Sequence, residues 1–362
     1  MRTCLLLIAV LMLFAVNVFA ADRILVGTSD EDLNVTVLQS NNQKTVIEYQ
    51  IGAYYQNSVE INGENFYQIR LPKESFLLNA QEPDLARVCR SIIIPDEAKM
   101  KISVIASEYE EFDNFKVAPS KGNFDRTIDP DDVPFKFGDV YSIDAMYPGT
   151  LAGIRDPYIM RDFRGTVIDL YPFQYNPAKE KLRVYTSITV EITNIGQGEI
   201  NTIKNADRSK IIPDFKLAYE RHFINYNFIQ DKYTPVEEVG DLLIICYDDF
   251  LDEMQPFVDW KLQKGINTTI VGVSTIGNTS SNIQTYIDNF YSSNPDLAFI
   301  LLVGDADEVE TPYASGGSSD PSYVKFTADD YPDAIIGRFS AESGIHVETQ
   351  VQRTIDLSLI HI

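Results

Sequence analysis

Cysteine is scarce: there are three in 362 residues, Cys4, Cys89 and Cys246. That excludes a disulfide-stapled framework. Histidine is as rare, with His222, His346 and His361 only. None lies between Arg23 and Ile192, so that region offers no imidazole for acid–base or metal chemistry. Positive charge is also short, 30 Lys and Arg against 53 Asp and Glu, for a formal net charge of −23. Such a balance argues against nucleic acid and anionic membrane as partners. It permits divalent cations, although an acidic surface is often only a solubility device. Beyond the N-terminus no apolar run is long enough to span a bilayer. A twelve-residue calcium loop and a G-x-S-x-G nucleophile elbow are both missing.

Hydrophobic residues make up 44% and charged residues 23%, which suits proper cores and excludes a disordered chain. The opening MRTCLLLIAVLMLFAVNVFA has Arg2, an apolar stretch from Leu5 to Val16, and a small-x-small signal at Val18–Ala20. It reads as a secretory signal peptide over residues 1–20, so a secreted or cell-surface protein is expected. Its removal takes Cys4 with it. Cys246 sits mid-strand in DLLIICYDDF, where a buried, inert thiol is the default. A Cys89–Cys246 disulfide is disfavoured, because the two fall in different domains.

From Arg23 to about Ile192 the pattern is β-rich. KISVIAS (101–107) alternates, and KLRVYTSITVEI (181–192) puts Leu182, Val184, Ile188, Val190 and Ile192 on one side. Asn62-Gly63, Lys121-Gly122, Pro148-Gly149 and Asn176-Pro177 punctuate the strands. Glu82–Arg90 is the one longer helical stretch expected. An antiparallel, sandwich-type domain fits. Next, IIPDFKLAYERHFINYNF predicts a short amphipathic helix with docking aromatics, and IQDKYTPVEEVG an exposed linker. Lys232 before Tyr233 is a candidate processing point.

From Asp241 the order becomes β, α, β, α, β. DLLIICY is an apolar strand; the helix after it is stopped at Gly265, with Pro256 in its first turn. Asn267–Val273 is a second strand. Thr279 or Ser280 caps a helix whose stripe is Ile283, Tyr286, Ile287, Phe290 and Tyr291. LAFILLV and AIIGRF are further strands, and Glu342 to about Ile355 a last helix. The result is a parallel sheet covered on both faces. The tail LSLIHI completes nothing and reads as a truncation or misread end.

Acidic residues gather between Leu297 and Phe339. Asp305 ends one apolar strand; Asp329, Asp330 and Asp333 precede another. In an open α/β sheet, chemistry gathers beyond the carboxyl ends of the strands. Calcium takes several carboxylates and tolerates carbonyl oxygens from a tight turn. The pattern alone leaves open a cation site and merely solvated strand ends. A phospho-acceptor module would also use Asp248, Asp249 and Asp305, but an exported chain disfavours it. No histidine follows a strand beside a glycine, so no nucleophile–base pair is assigned.

YTPVEE (233–238), FVDWKLQKG (257–265), LLVGD (301–305) and DDYPDAIIGRFSAES…TQVQRTI (329–355) together resemble the gingipain family of secreted cysteine endopeptidases. VAPSKGNFDR (117–126) and LRVYTSITVEI resemble that family's propeptide. The resemblance implies a zymogen: signal peptide 1–20, β-sandwich inhibitory prodomain 21–232, the N-terminal part of a caspase-like α/β catalytic domain 233–356, and the tail 357–362. Maturation is expected at Lys232–Tyr233. The catalytic Cys and His are expected past residue 362. Structural calcium is expected on Asp305, Asp329 and Asp333, with backbone oxygens of Phe326 and Tyr331. The prodomain is expected to inhibit through a loop carrying Lys121 or Arg126. Protein or peptide substrates follow. The rival reading is a secreted calcium-dependent binding module.

Overall fold

In the computed structural model the chain is described over residues 21–125, 127–204, 212–229, 240–314, 316–327, 329 and 331–360. The expected signal peptide, Arg126, Lys232, Tyr233, Asp330 and His361 lie outside the described residues.

Three antiparallel sheets build the N-terminal region. In the first, β1 (Asp22–Leu25) pairs with β4 (Ala53–Ile61), which pairs with β5 (Glu64–Arg70). In the second the order is β10 (Tyr158–Met160), β11 (Phe163–Leu170), β7 (Ala86–Ile93) and β6 (Ser75–Phe76), with β9 (Ala152–Ile154) also on β11. The third places β12 (Phe173–Asn176), β13 (Lys181–Gln197), β3 (Lys44–Ile51) and β2 (Leu33–Ser40) side by side, with β8 (Ala98–Phe112) also on β13. The expected alternation in β13 is observed: Leu182, Val184, Ile188, Val190 and Ile192 are fully buried. They share one core with Ile47, Tyr49 and Ile51 of the same sheet, Val88, Ile92 and Ile168 of the second, and Tyr54 and Ile69 of the first. Inner faces of separate sheets meeting in one core is the sandwich principle.

One local expectation fails here. Glu82–Arg90 is not helical: Ala86–Ile93 is strand β7, paired with β11 so that Cys89 faces Asp169 and Ile92 faces Thr166. Ala86, Val88 and Ile92 are buried at period two. Sheet pairing on both sides overrides the local helical preference of DLARVCR.

Helix α1 (Pro213–His222) and the turn after it dock on the β-rich domain. Buried Asn225 fixes the dock: its Oδ1 accepts from Ile93 N–H (2.7 Å), and its Nδ2 donates to Ile93 O (2.9 Å) and Ser40 Oγ (3.0 Å). Phe215, Tyr219, Phe223 and Tyr226 pack with Tyr158 and Phe163, and also with Ala298 of the next domain. The expected docking aromatics thus form the seam between the two domains.

The C-terminal layer is a parallel sheet in the order β15 (Thr268–Gly272), β14 (Asp241–Cys246), β16 (Leu297–Val303), β19 (Ile335–Phe339). A small hairpin, β17 (Tyr313–Ala314) with β18 (Gly317–Ser318), lies in the connection after β16. Leu242, Ile244 and Cys246 of β14 face α2 (Leu251–Gln263) and α5 (Gly344–Ile360). Leu243 and Ile245 face α4 (Ser280–Ser293) and the turn at Asp320–Val324. The short α3 (Val273–Ile276) follows β15. Helices on both faces explain why these strands read as continuous apolar runs. Pro256 is not in the first turn of α2 but inside it; the tighter lead-in is Asp248–Phe250. The bond that proline removes belongs to Asp252, which is exposed, so water can serve its carbonyl.

Thr279 caps α4, its Oγ1 accepting from Asn282 N–H at 3.2 Å. Thr279→Ala is expected to cost about 1 kcal/mol, a shift in urea midpoint with unchanged slope.

Candidate functional site

Beyond the carboxyl ends of β14, β16 and β19 lies a rim of short polar loops. Gly304 leaves β16 with φ +125, and a Cβ there would meet the Glu308 Cβ at 2.7 Å. This turn sets Asp305, whose Oδ1 accepts from Ala306 N–H (3.0 Å) and Ser340 Oγ (3.0 Å). Arg338, from β19, holds the loop from inside. Its guanidinium donates to the carbonyls of Gly304 (2.9 Å), Asp305 (3.1 Å) and Val309 (3.0 Å), and to both carboxylate oxygens of Asp320 (2.7 and 2.8 Å). Asp248, on the same rim, accepts from the backbone N–H and hydroxyl of Ser274 (2.9 and 2.6 Å). The Ser274 hydroxyl and N–H hold its carboxyl below the ordinary range. It anchors α3 and is not gathered with Asp305 into an acidic pocket.

Asp329 and Asp333 stand at the other end of the sheet. They precede β19, and β19 runs parallel to β16, so the strand itself separates them from Asp305. Five residues at about 3.3 Å each make that separation roughly 16 Å or more. Asp333 is fully buried. Its Oδ2 accepts from Phe326 N–H (2.7 Å) and Thr327 N–H (3.0 Å), and its Oδ1 from Arg161 N–H (3.1 Å). Burial pushes this carboxyl up, and the backbone donors oppose that rise. Asp329 accepts from Tyr331 N–H (2.9 Å) and from Ile159 N–H.

The calcium set Asp305, Asp329, Asp333, Phe326 and Tyr331 is therefore not one site. The expectation placed all the acids on one rim, but residues before a parallel strand lie at the end opposite to residues after its neighbour. The carboxylates of Asp329 and Asp333 are engaged by N–H donors, and no group of three metal-ligating side chains occurs among the described residues. These residues do not fit a shared calcium ion.

Neither described thiol suits nucleophilic attack. Cys246 is fully buried, donates to Tyr247 O (3.2 Å), and burial pushes it up to about 12. Cys89 donates to Asp169 Oδ1 (3.1 Å), and burial raises it also. Both are free of disulfide. His222 Nε2 lies 2.6 Å from the Tyr158 hydroxyl, and burial lowers its proton affinity. His346 Nδ1 accepts from Glu342 N–H (3.4 Å) in the α5 lead-in. No thiol–imidazole pair forms among the described residues. Lys121 donates to Pro130 O (2.7 Å) and lies 4.5 Å over the Phe135 ring, so its side chain folds on its own loop.

Two groups escaped the sequence reading. Arg338 had a signal, an arginine inside an apolar strand. Tyr158, Ile159 and Arg161 had none, because an Arg-Asp turn carries no conformational signature of its own.

The family profile for the C25 propeptide matches residues 27–227, and that for peptidase family C25 matches residues 236–359. Gingipain R1 of Porphyromonas gingivalis is 36% identical over 279 residues, covering 75% of this chain and 28% of that protein. Gingipain R2 of the same organism is 36% identical over 282 residues, covering 75% and 38%. The chain thus spans well under half the length of these relatives. Among solved structures, a complex of Porphyromonas gingivalis RgpB pro- and mature domains aligns with a TM-score of 0.50 at 28% identity, over 53% of this chain and 97% of that one. With both profiles present in this order, the chain belongs to peptidase family C25, as a propeptide followed by peptidase-domain sequence.

Proposed function

We propose that this chain is the precursor form of an exported cysteine endopeptidase, with the β-rich domain as its inhibitory propeptide. The observation that carries the reading is the presence of propeptide and peptidase sequence in one chain, joined by a shared aromatic seam. Protein or peptide substrates follow from that reaction class. A thiolate attacks the scissile carbonyl, an imidazole protonates the leaving amine, and backbone N–H groups hold the oxyanion. No described cysteine or histidine is assigned to those roles. What the described residues supply is the platform: a rigid parallel sheet, a carboxyl-end rim braced by Arg338, and the docked propeptide. Export rests on the signal-like residues 1–20, and maturation on Lys232–Tyr233. No helix among the described residues is long and apolar enough to cross a membrane. The rival calcium-dependent binding module lacks comparable support, since the acids it needs are split between two rims.

The test is alkylation of the full-length protein. Iodoacetamide is expected to abolish peptide hydrolysis, and to do so equally in a Cys89→Ser/Cys246→Ser variant, because neither described thiol is the nucleophile. Activity that survives alkylation would remove the cysteine mechanism.

A further inference from the structure

The turn between β10 and β11 carries an arginine where glycine would be least strained. Arg161 has φ +49, in the left-handed region that disfavours a residue with a Cβ. Strain of this kind persists where the surroundings hold it in place and often marks a working contact. The hydrogen bonds of Arg161 leave its own domain. Its backbone N–H donates to Asp333 Oδ1, and its guanidinium donates to the carbonyls of Leu297 (2.7 Å), Pro295 (2.9 Å) and Asp333 (3.1 Å). The Phe215 ring lies 4.5 Å from the guanidinium carbon. On the same hairpin Ile159 N–H donates to Asp329, and the Tyr158 ring stacks on Tyr331 at 3.7 Å between centroids. The receiving side is preorganised, because Phe326 and Thr327 already fix the buried Asp333 carboxylate through its other oxygen.

We propose that this acid turn is a guanidinium-reading socket, and that Arg161 is the anchor holding the β-rich domain on the α/β layer after the connecting segment 230–239 is cut. The carbonyls of Pro295, Leu297 and Asp333 take the guanidinium, while the carboxylates of Asp333 and Asp329 take the backbone N–H groups of Arg161 and Ile159 beside it. A planar fork spread over several carbonyls is a geometry lysine cannot reproduce. The socket sits at the amino ends of the strands, away from the rim where chemistry gathers in such sheets. Retention and inhibition are therefore separate tasks of the propeptide, carried by different surfaces. The inference takes the propeptide assignment from the reading above but does not need the peptidase chemistry.

The experiment uses the full chain with residues 232–238 replaced by a cleavage site for a sequence-specific protease. After cutting, the two pieces are diluted and followed by gel filtration. The unsubstituted pieces are expected to stay together at micromolar concentration. Arg161→Gly is expected to weaken their association at least thirtyfold, Arg161→Lys less, and Asp333→Asn about tenfold. Because glycine suits φ +49, the far-UV circular dichroism spectrum of the uncut Arg161→Gly chain is expected to match the parent's. Equal association of parent and Arg161→Gly pieces would overturn the proposal, leaving the aromatic seam as the holding force. A loss of β-sheet signal in the uncut variant would overturn it too, since Arg161 would then serve its own hairpin. Both readouts are independent of hydrolysis, so failure of the protease reading is seen separately.

Discussion

Arg164→Met lowers the stability of the β-rich domain by roughly 3–5 kcal/mol. Arg164 stands in β11 with 1% of its surface exposed. Its guanidinium donates to the carbonyls of Pro95 (2.9 Å), Ala98 (2.7 Å), Ile200 (2.8 Å) and Asn201 (2.7 Å). These carbonyls belong to two chain segments, residues 95–98 and 200–201, which the guanidinium ties together. Burial lowers the proton affinity of the guanidinium, with Asp96 opposing, yet an arginine so placed remains charged. Methionine keeps most of the length and removes every donor. Each orphaned carbonyl costs about 1–3 kcal/mol unless water reaches it. A cavity of about 280 Å³ lined by Arg164, Ala98, Gly198 and Ile200 adjoins the site, so water will serve some of them. The expected loss is accordingly below the sum of four. Urea unfolding followed by far-UV circular dichroism reads it as a lower midpoint. An unchanged midpoint would mean that solvent replaces the guanidinium entirely.

Arg338→Ala frees the loops that follow β16, with an expected cost of about 2–4 kcal/mol. The side chain is 12% exposed and bridges Asp320, Thr311 and three backbone carbonyls. The variant is also expected to reverse a pH dependence. In the parent, burial raises the Asp320 carboxyl, but hydrogen bonds from Arg338 and Thr311 and the guanidinium charge outweigh it and hold it below the ordinary range. A carboxyl with a depressed folded value stabilises above its unfolded pKa of about 3.9, and that stability is lost as pH falls through the folded value. Without Arg338, burial dominates and the folded value rises. Stability is then lost as pH increases through the unfolded value, the opposite sign. Limited proteolysis between residues 304 and 324, run at pH 4 and pH 7, distinguishes the two. Equal cutting of parent and variant at pH 7 would contradict the bracing role.

How far the sequence discloses this architecture depends on whether a feature is local. The apolar runs 241–246 and 297–303, the Thr279 cap and the β13 alternation are written in neighbouring residues, and each is found where expected. Ala86–Ile93 is different, because its strand state comes from partners some 75 residues away in the chain. The acidic residues mislead for a related reason. A carboxylate before a strand and one after a strand look alike as text, and only the parallel direction of β16 and β19 shows that they face opposite ends. Arg161 is the hardest to find, since its partners Pro295, Leu297 and Asp333 belong to the other domain and its role is defined by their carbonyl geometry.

β13 touches β12, β3 and β8 at once, and its Ser187–Thr193 stretch pairs with Lys44–Gln50, far back in the sequence. No earlier segment can close that sheet, so the β2–β3 hairpin must wait for β13, and long-range pairing of this kind is slow. In a chain exported amino end first, the sheet can close once Gln197 has crossed, while Asp241 and everything after it has yet to follow. The arriving α/β layer then meets a finished neighbour whose Tyr158–Arg161 corner is already shaped.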